Sequence, residues 1–346
     1  MRSLLLVIIA LLFANYKSFG QEDLKKYKIA CIAFYNIENL FDTINDPNFN
    51  DEEFTPEGSY VWTGEKYWQK ISHTSDVISK VGDEYTSGGP VIVGIAEVEN
   101  ETVLKDIVNS KELKASDYGI VHYDCEYSRG VDVGFLYRKE YFKVTDSKTF
   151  KLILPTEPEY RTRDILLVNG ELDGEKIHVI VNHWPSRRGG EKRSAPNRDE
   201  GGRICRTIVD SLYKAEANAK IFIMGDFNDD PVDASISKHL GATGDIANVS
   251  ENGLYNPQYD LFKKGIGSLA YRDSWNLFDQ IIISKPLLGD DKSTYKFNSA
   301  KIFNRKFITQ KDGKYAGYPF RTFSGETFQN GYSDHFPSYI FIVRNK

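Results

Sequence analysis

The sequence predicts one mixed α/β (α+β) domain in which β-sheets pack together and helices lie outside. Three observations carry this. Eight apolar runs rich in β-branched residues recur along the chain, helical patterns lie between them, and neither a Ser- or Pro-rich linker nor an internal repeat divides them. At 346 residues, 40% hydrophobic and 13% aromatic, the chain has ample material for a packed core and is too rich in Phe and Tyr for a disordered protein. Length alone suggests about two domains at ~150 residues each. The unbroken mixing of strands and helices favours one domain over residues 21–346.

In chain order, Arg2 precedes an apolar run from Leu4 to Ala14, and Ser18-Phe19-Gly20 follows. This pattern reads as a cleaved export signal over residues 1–20, with a periplasmic or extracellular destination. The run is shorter than the ~20 apolar residues that cross a bilayer, so no stable membrane anchor is expected. The strand patterns are Ile29–Phe34, Val91–Val98, Val131–Tyr137, Ile165–Val168, Ile177–Val181, Ile221–Met224, Gln280–Ile283 and Tyr339–Val343. Helical periodicity places Trp68, Ile71, Ile78 and Val81 on one face of Glu65–Val81. It also predicts helices over Thr102–Val108 and Arg203–Leu212.

Charge and cysteines narrow the function classes. The chain carries 44 Lys and Arg against 49 Asp and Glu, a net charge of −5 that becomes −7 without residues 1–20. A protein that coats nucleic acid needs a surplus of cations to neutralise phosphates, so that class is excluded, while an acidic enzyme with a local basic site is not. Cys31, Cys125 and Cys205 match no zinc spacing and read as small buried hydrophobes, although one pair is open to oxidation in an exported protein.

The informative pattern is that the apolar strands end in polar clusters. Ile29–Phe34 runs into Asn36 and Glu38, Val91–Ala96 into Glu97 and Glu99, Ile177–Val181 into Asn182-His183, and Ile221–Met224 into Asp226 and Asn228. Asp279 precedes Ile281–Ile283, and Asp334-His335 precedes the last strand. A single polar residue at a strand end is usually a turn former. Six such ends point to a site at one sheet edge. Carboxylates and amides with few imidazoles suit a hard ion, Mg²⁺ or Mn²⁺, rather than zinc, and a hard ion beside His and Arg describes phosphoryl chemistry.

The segments Tyr35-Asn36-Ile37-Glu38-Asn39-Leu40-Phe41-Asp42, Gly94-Ile95-Ala96-Glu97, Asn182-His183-Trp184-Pro185, Gly225-Asp226-Phe227-Asn228 and Ser333-Asp334-His335-Phe336-Pro337 resemble, in order, the successive motifs of the endonuclease/exonuclease/phosphatase superfamily, to which pancreatic deoxyribonuclease belongs. The resemblance implies a four-layered sandwich, two packed β-sheets flanked by helices, with the site at one end. It implies a metal site of Asn36, Glu97 and Asp334, in which Glu97 holds Mg²⁺ directly and Asp334 completes the metal or water site. Asp226 and Asn228 would orient the attacking water and steady the phosphate. His335 would hydrogen-bond the phosphate, held in its tautomer by Asp279, and His183 would take the leaving-group role. Arg163 would bind phosphate. The deoxyribonuclease branch orients its second histidine with a Glu; here only Asp132 is near that place, one position off. Asp132 is carried as the partner of His183, against the alternative of a solvent-facing strand residue.

The borrowed roles agree with the chemistry. In-line attack on a phosphodiester builds charge on the non-bridging and leaving oxygens, which a divalent ion, Arg163 and a cationic His would stabilise. A carboxylate such as Asp226 would take the proton of the water, and a histidine tuned by a carboxylate would protonate the departing alkoxide.

Two flanking segments bear on the substrate. Residues 186–206 hold seven basic and three acidic residues, so Arg187 and Arg188 are candidate phosphate contacts; the alternative is a solvated loop. Residues 42–57 hold six acids and no base. Within them Asp46, Asn48, Asn50 and Glu57 fit positions of a Ca²⁺ loop, but Asp51 stands at the expected glycine. The other reading of this segment is a solvated loop bordering the site. The expected function is an exported, monomeric metal-dependent nuclease acting on DNA or RNA. A hydrolase of lipid head groups or small phosphate esters is the alternative, and a non-catalytic binding protein on the same scaffold the third.

Overall fold

The computed structural model describes residues 26–346. The export signal read over residues 1–20 lies outside them. Each apolar run of the sequence is a strand: β1 (Tyr27–Leu40), β2 (Ile92–Val98), β4 (Asp132–Arg138), β6 (Ile165–Leu172), β7 (Glu175–His183), β8 (Ile221–Asp226), β13 (Asp279–Ser284) and β17 (Ser338–Asn345). Three long strands escaped the pattern: β3 (Tyr118–His122), β5 (Phe142–Phe150) and β14 (Lys296–Ile302). All three are edge strands, and an edge strand keeps a polar face toward water, so it lacks a continuous apolar run.

Six strands form one sheet in the order β14-β17-β1-β2-β4-β3. The second sheet has seven strands, β5-β6-β7-β8-β13 followed by two short ones, β10 (Leu254–Tyr255) and β9 (Ala242–Thr243). At the centre of each sheet lies one parallel pair, β1 with β2 and β7 with β8, flanked by antiparallel neighbours.

Period-two alternation divides the side chains between layers. On β1, Ile32 and Phe34 point inward and join Phe135, Val179, Phe222, Met224, Ile281 and Ile340 between the sheets. Cys31, Ala33 and Tyr35 point outward and pack under α1 (Gly64–Lys80) and α2 (Glu101–Val108) with Ile71, Ile78, Leu104 and Ile107. The outer face of the second sheet, with Ile180, Ile221 and Ile223, is covered by Cys205, Ile208 and Val209 of α3 (Glu191–Ala215). Each such fully buried aliphatic or aromatic side chain contributes roughly 1.5–3 kcal/mol. The layers therefore run helix, sheet, sheet, helix, as the motifs implied. All three cysteines are free and buried.

Two helical expectations need correction. Trp68 is 56% exposed, and the buried face of α1 is Tyr67, Lys70, Ile71, Thr74, Ser75, Val77 and Ile78. The helix predicted over Arg203–Leu212 begins at Glu191, so most of the basic segment read as a loop is the first half of α3. Its charges hid an amphipathic helix, because its buried residues there are Ser194, Asn197, Arg198, Gly201 and Gly202 rather than apolar ones. Among the described residues no helix is long and apolar enough to cross a membrane.

Candidate active site

Strand register brings the polar ends together. In the second sheet His183 of β7 pairs with Asp226 of β8, which pairs with Asp279 of β13, so three candidates occupy neighbouring strands at one level. In the first sheet Asn36 of β1 lies opposite Ala96, placing Glu97 next to it, and Ser338 opens β17 just after His335. Here β1 breaks register with β2 between Asn36 and Leu40, and Glu38 and Asn39 take left-handed backbone conformations with φ of 54° and 45°. Glu97 (φ 65°) and Asn228 (φ 52°) do the same. Such conformations are uncommon outside glycine and concentrate where a side chain is re-aimed at a functional site.

Asn36 sits at the junction of the sheets. Its Nδ2 donates to Asp226 Oδ2 at 3.0 Å and to Glu97 Oε1 at 3.3 Å, while its Oδ1 accepts from the Glu38 amide. Glu97 Oε2 accepts from the Asn39 amide at 2.9 Å, and Asp226 Oδ1 from the Asn228 amide at 2.9 Å. Asn228 Nδ2 donates to the Trp184 carbonyl. Burial pushes the Asp226 carboxyl up to about 7; the His335 charge opposes this, and Asp279 and Glu97 add to it. Carboxylates buried this deeply and this close together favour a bound cation.

The two histidines are driven apart. His335 Nδ1 lies 2.7 Å from Asp279 Oδ2, which also accepts from Ser268 Oγ at 2.5 Å. Despite burial, Asp279 and then Asp226 and Asp334 raise His335 well above its ordinary value, so it is an imidazolium at neutral pH. His183 is lowered well below its ordinary value by burial first, then by Arg163, His335 and Arg129, so it is neutral. Its Nε2 lies 3.7 Å from Glu97 Oε1 and 3.8 Å from Asp226 Oδ2. Opposed shifts of this kind at paired groups separate acid from base roles.

The oxygen donors of the site suit a hard ion. Asp226, Asp279 and His335 offer ligand atoms within 4.8 Å of one another. Asp279 is committed to a cationic His335, so the carboxylates free to hold an ion are Asp226 and Glu97, which share Asn36. Asp334 is drawn off: its Oδ2 binds Arg321 Nη2 at 2.6 Å.

Two other expectations do not survive the geometry. Asp132 faces His122 Nε2 at 3.2 Å and the Cys125 amide at 3.1 Å, not His183, whose Nδ1 has no hydrogen-bond partner among the described residues. The strand β4 runs antiparallel to β3, so the one-position offset turns Asp132 toward His122 of that strand. Arg187 is also spoken for. It binds Asp229 at 3.2 Å, Asp233 at 2.9 Å and the Asn228 carbonyl at 2.9 Å, and lies over Phe278. It braces the loop after Asp226 instead of meeting a substrate phosphate. Arg188 is exposed, and Arg163 is buried with Nη2 on the Trp184 carbonyl at 2.7 Å.

In the acidic segment Asp46 Oδ1 accepts from Asn48 N and Nδ2, and buried Asp51 accepts from the Asp46 amide. Of the four residues read as Ca²⁺ ligands, these turn contacts engage Asp46 and Asn48. Neither Asp46 nor Glu57 belongs to a cluster that could hold a metal among the described residues.

Sequence reasoning missed the support of the site. Lys70 is 1% exposed and reaches Thr322 Oγ1 at 2.6 Å and the Tyr332 carbonyl, while the Thr322 amide donates to Glu38 at 2.6 Å. Burial and Asp334 push Glu38 up to about 7, and burial pulls Lys70 down to about 8. The sole signal was a lysine on the apolar stripe of α1. Ser268, which grips Asp279, and Arg129, which donates to Asn39 Oδ1 at 2.7 Å, carried no signal at all.

No curated protein matches the sequence. Among solved structures, truncated Caenorhabditis elegans TDP2 superposes with a TM-score of 0.56 at 16% identity, over 91% of this chain and 97% of that one. D. rerio TDP2 complexed with single strand DNA product gives 0.54 at 15%, over 91% and 98%. The Bacteroides thetaiotaomicron mannosyl-6-phosphatase Bt3783 gives 0.53 at 15%, over 90% and 99%. At these identities the likeness is one of fold. Residues 31–344 match the model of the Endonuclease/Exonuclease/phosphatase family. With the motifs, the two-sheet sandwich and the convergent carboxylates and histidines in place, the chain belongs to that family of metal-dependent phosphoester hydrolases.

Proposed function

We propose that the protein is an exported phosphodiesterase that cleaves nucleic-acid strands by in-line attack of water at the end of the sandwich where Asn36, Glu97, His183, Asp226, Asp279 and His335 meet. The observation that carries this is the paired electrostatics of the site: a cationic His335 held by Asp279 beside an Asp226 poised near neutrality. Export rests on the pattern of residues 1–20 alone.

Glu97 and Asp226 would hold the hard ion, which supplies charge stabilisation for the phosphate oxygens when bound. Asp226 orients the water and takes its proton, and the Asn228 amide fixes which carboxylate oxygen does so. His335 donates to a non-bridging oxygen, with Asp279 holding its other nitrogen. His183 starts neutral; a phosphodiester anion offsets Arg163 and Arg129 and moves it toward the imidazolium that leaving-group protonation requires.

A nucleic-acid strand is favoured over a small ester by an aromatic platform next to His335. The hairpin of β11 (Leu269–Tyr271) and β12 (Ser274–Asn276) carries Trp275, stacked on Phe336 at 6.1 Å and flanked by Tyr318 at 5.6 Å. Tyr271 and Tyr315 are exposed nearby in this group. Partly exposed rings offer sequence-tolerant stacking for bases. The single-stranded DNA product held by D. rerio TDP2 supports the same substrate class.

The test is incubation of the purified protein with plasmid DNA, single-stranded DNA, RNA, sphingomyelin and bis(p-nitrophenyl) phosphate in Mg²⁺, Mn²⁺ or EDTA. Cleavage of the polynucleotides that EDTA abolishes and Asp226→Ala removes is expected. Turnover of only the small ester would replace the nuclease reading, and activity in EDTA would sink the metal mechanism.

A further inference from the structure

The basic segment resolves into two groups once its partners are known. Arg187 binds the carboxylates of Asp229 and Asp233; Arg198 Nε lies 2.6 Å from Asp229; Arg203 pairs with Glu200 and Arg206 with Asp210. The side chains of Arg188, Lys192 and Arg193 have no ion pair or hydrogen bond among the described residues. Arg188 and Arg193 line a cleft of about 420 Å³, together with Arg163, Thr162, Tyr127 and Tyr160. Glu157 is the acid on its rim.

This cleft is built for a ligand. Arg163, 6% exposed, lies under the Tyr127 ring at 4.9 Å, and Tyr160 meets the same ring edge-on at 6.1 Å. Two buried polar atoms on the lining residues, Arg163 Nε and Thr162 Oγ1, have no hydrogen-bond partner among the described residues. Buried donors left unmatched in this way are rare in folded proteins and mark places where something else binds. The cleft is joined to the catalytic end through one carbonyl: Trp184, next to His183, accepts from both Arg163 Nη2 and Asn228 Nδ2.

We propose that the cleft is a second anion subsite, which takes the phosphate adjacent to the scissile one in a single-stranded polynucleotide while a neighbouring unpaired base lies against Tyr160. Arg188 and Arg193 are unpaired charges at its mouth, so they are free to neutralise phosphate, and the two tyrosines give a wall without base preference. This deepens the nuclease reading and rests on it. A small ester with one phosphate would leave Arg188 and Arg193 without a role.

The experiment measures binding apart from catalysis. Fluorescence anisotropy of a labelled oligothymidylate is titrated with the full chain in EDTA over a range of NaCl. Each phosphate contact on a single strand contributes a slope of about −0.7 in log K against log salt. Arg188→Gln combined with Arg193→Gln removes the one phosphate contact of the cleft and is expected to flatten the slope by about 0.7, with the thermal midpoint unchanged because neither side chain has a partner to lose. An oligomer with neutral methylphosphonate linkages should bind wild type and variant alike. An unchanged slope in a folded double variant would overturn the subsite. Failure of the wild type to cleave any diester would instead overturn the phosphodiesterase reading, and leaves the slope measurement to be judged independently. Adenosine 3′,5′-bisphosphate is a competing arm: if it displaces the strand from the wild type as well as an oligomer does, the cleft takes a terminal phosphate and the polynucleotide assignment falls.

Discussion

Asp279→Asn tests the electrostatic core of the mechanism with the smallest change of shape. The carboxylate is fully buried, accepts from Ser268 Oγ at 2.5 Å, and holds His335 Nδ1 at 2.7 Å. A hydrogen bond to a charged group contributes about 1.5–3 kcal/mol, so its loss lowers kcat by roughly 10- to 100-fold if the imidazolium is the working form. The same loss moves the titration of His335 down. The sign follows from the direction of the shift. His335 is raised in the folded protein, so the stability and activity that its charge confers are present at low pH and are lost as pH rises through the folded value. Without Asp279 the alkaline limb of kcat should therefore move to lower pH. The assay is hydrolysis of bis(p-nitrophenyl) phosphate at saturating Mg²⁺ across the neutral and alkaline range, paired with NMR titration of the His335 ring proton. A variant whose kcat stays within twofold and whose alkaline limb does not move would refute the reasoning.

Three further outcomes are expected. Lys70→Met leaves Glu38 buried beside Asp334 with Arg321 as its remaining cation and should cost about 3 kcal/mol in urea unfolding. The loss should shrink as pH falls below the raised value of Glu38, about 7, and adding Glu38→Gln should recover most of it. Asp132→Asn should lower the thermal midpoint through His122 and the Cys125 amide but leave kcat within threefold; a hundredfold loss would restore Asp132 as a partner of His183. Arg321→Met releases Asp334 toward the ion and should tighten Mn²⁺ binding about fivefold by calorimetry, in line with the ~1 kcal/mol of a half-exposed ion pair. Weaker binding would show that Arg321 supports the ion site.

The central strands and the catalytic residue types were legible because both follow local rules. A segment buried on both faces of a sheet is apolar, as residues 30–34 of β1, 179–181 of β7, 221–224 of β8 and 281–283 of β13 are, and the polar residues at its end then stand out. Edge strands β3, β5 and β14 were not legible, since a half-solvated strand resembles a loop in composition. The first half of α3 was missed for a related reason: Arg198 is buried there, and the carboxylate that balances its charge is Asp229, thirty-one positions away in sequence. Lys70 was hidden in the same way, since its partners lie in the segment around Thr322 and Tyr332.

The sequence by itself determined the apolar central strands, the helices between them and the set of oxygen and imidazole groups at the strand ends, because period and spacing are properties of short segments, and its motifs implied the sandwich through their family resemblance. Only the tertiary structure decided which of those groups are spent and which are free. Asp132 went to His122, Arg187 to Asp229 and Asp233, and Asp334 to Arg321, whereas Arg188 and Arg193 were left uncompensated at a cleft. Charge pairing depends on distances between residues as far apart in the chain as Asn36 and Asp226, separated by 190 positions, and no local pattern encodes such a distance.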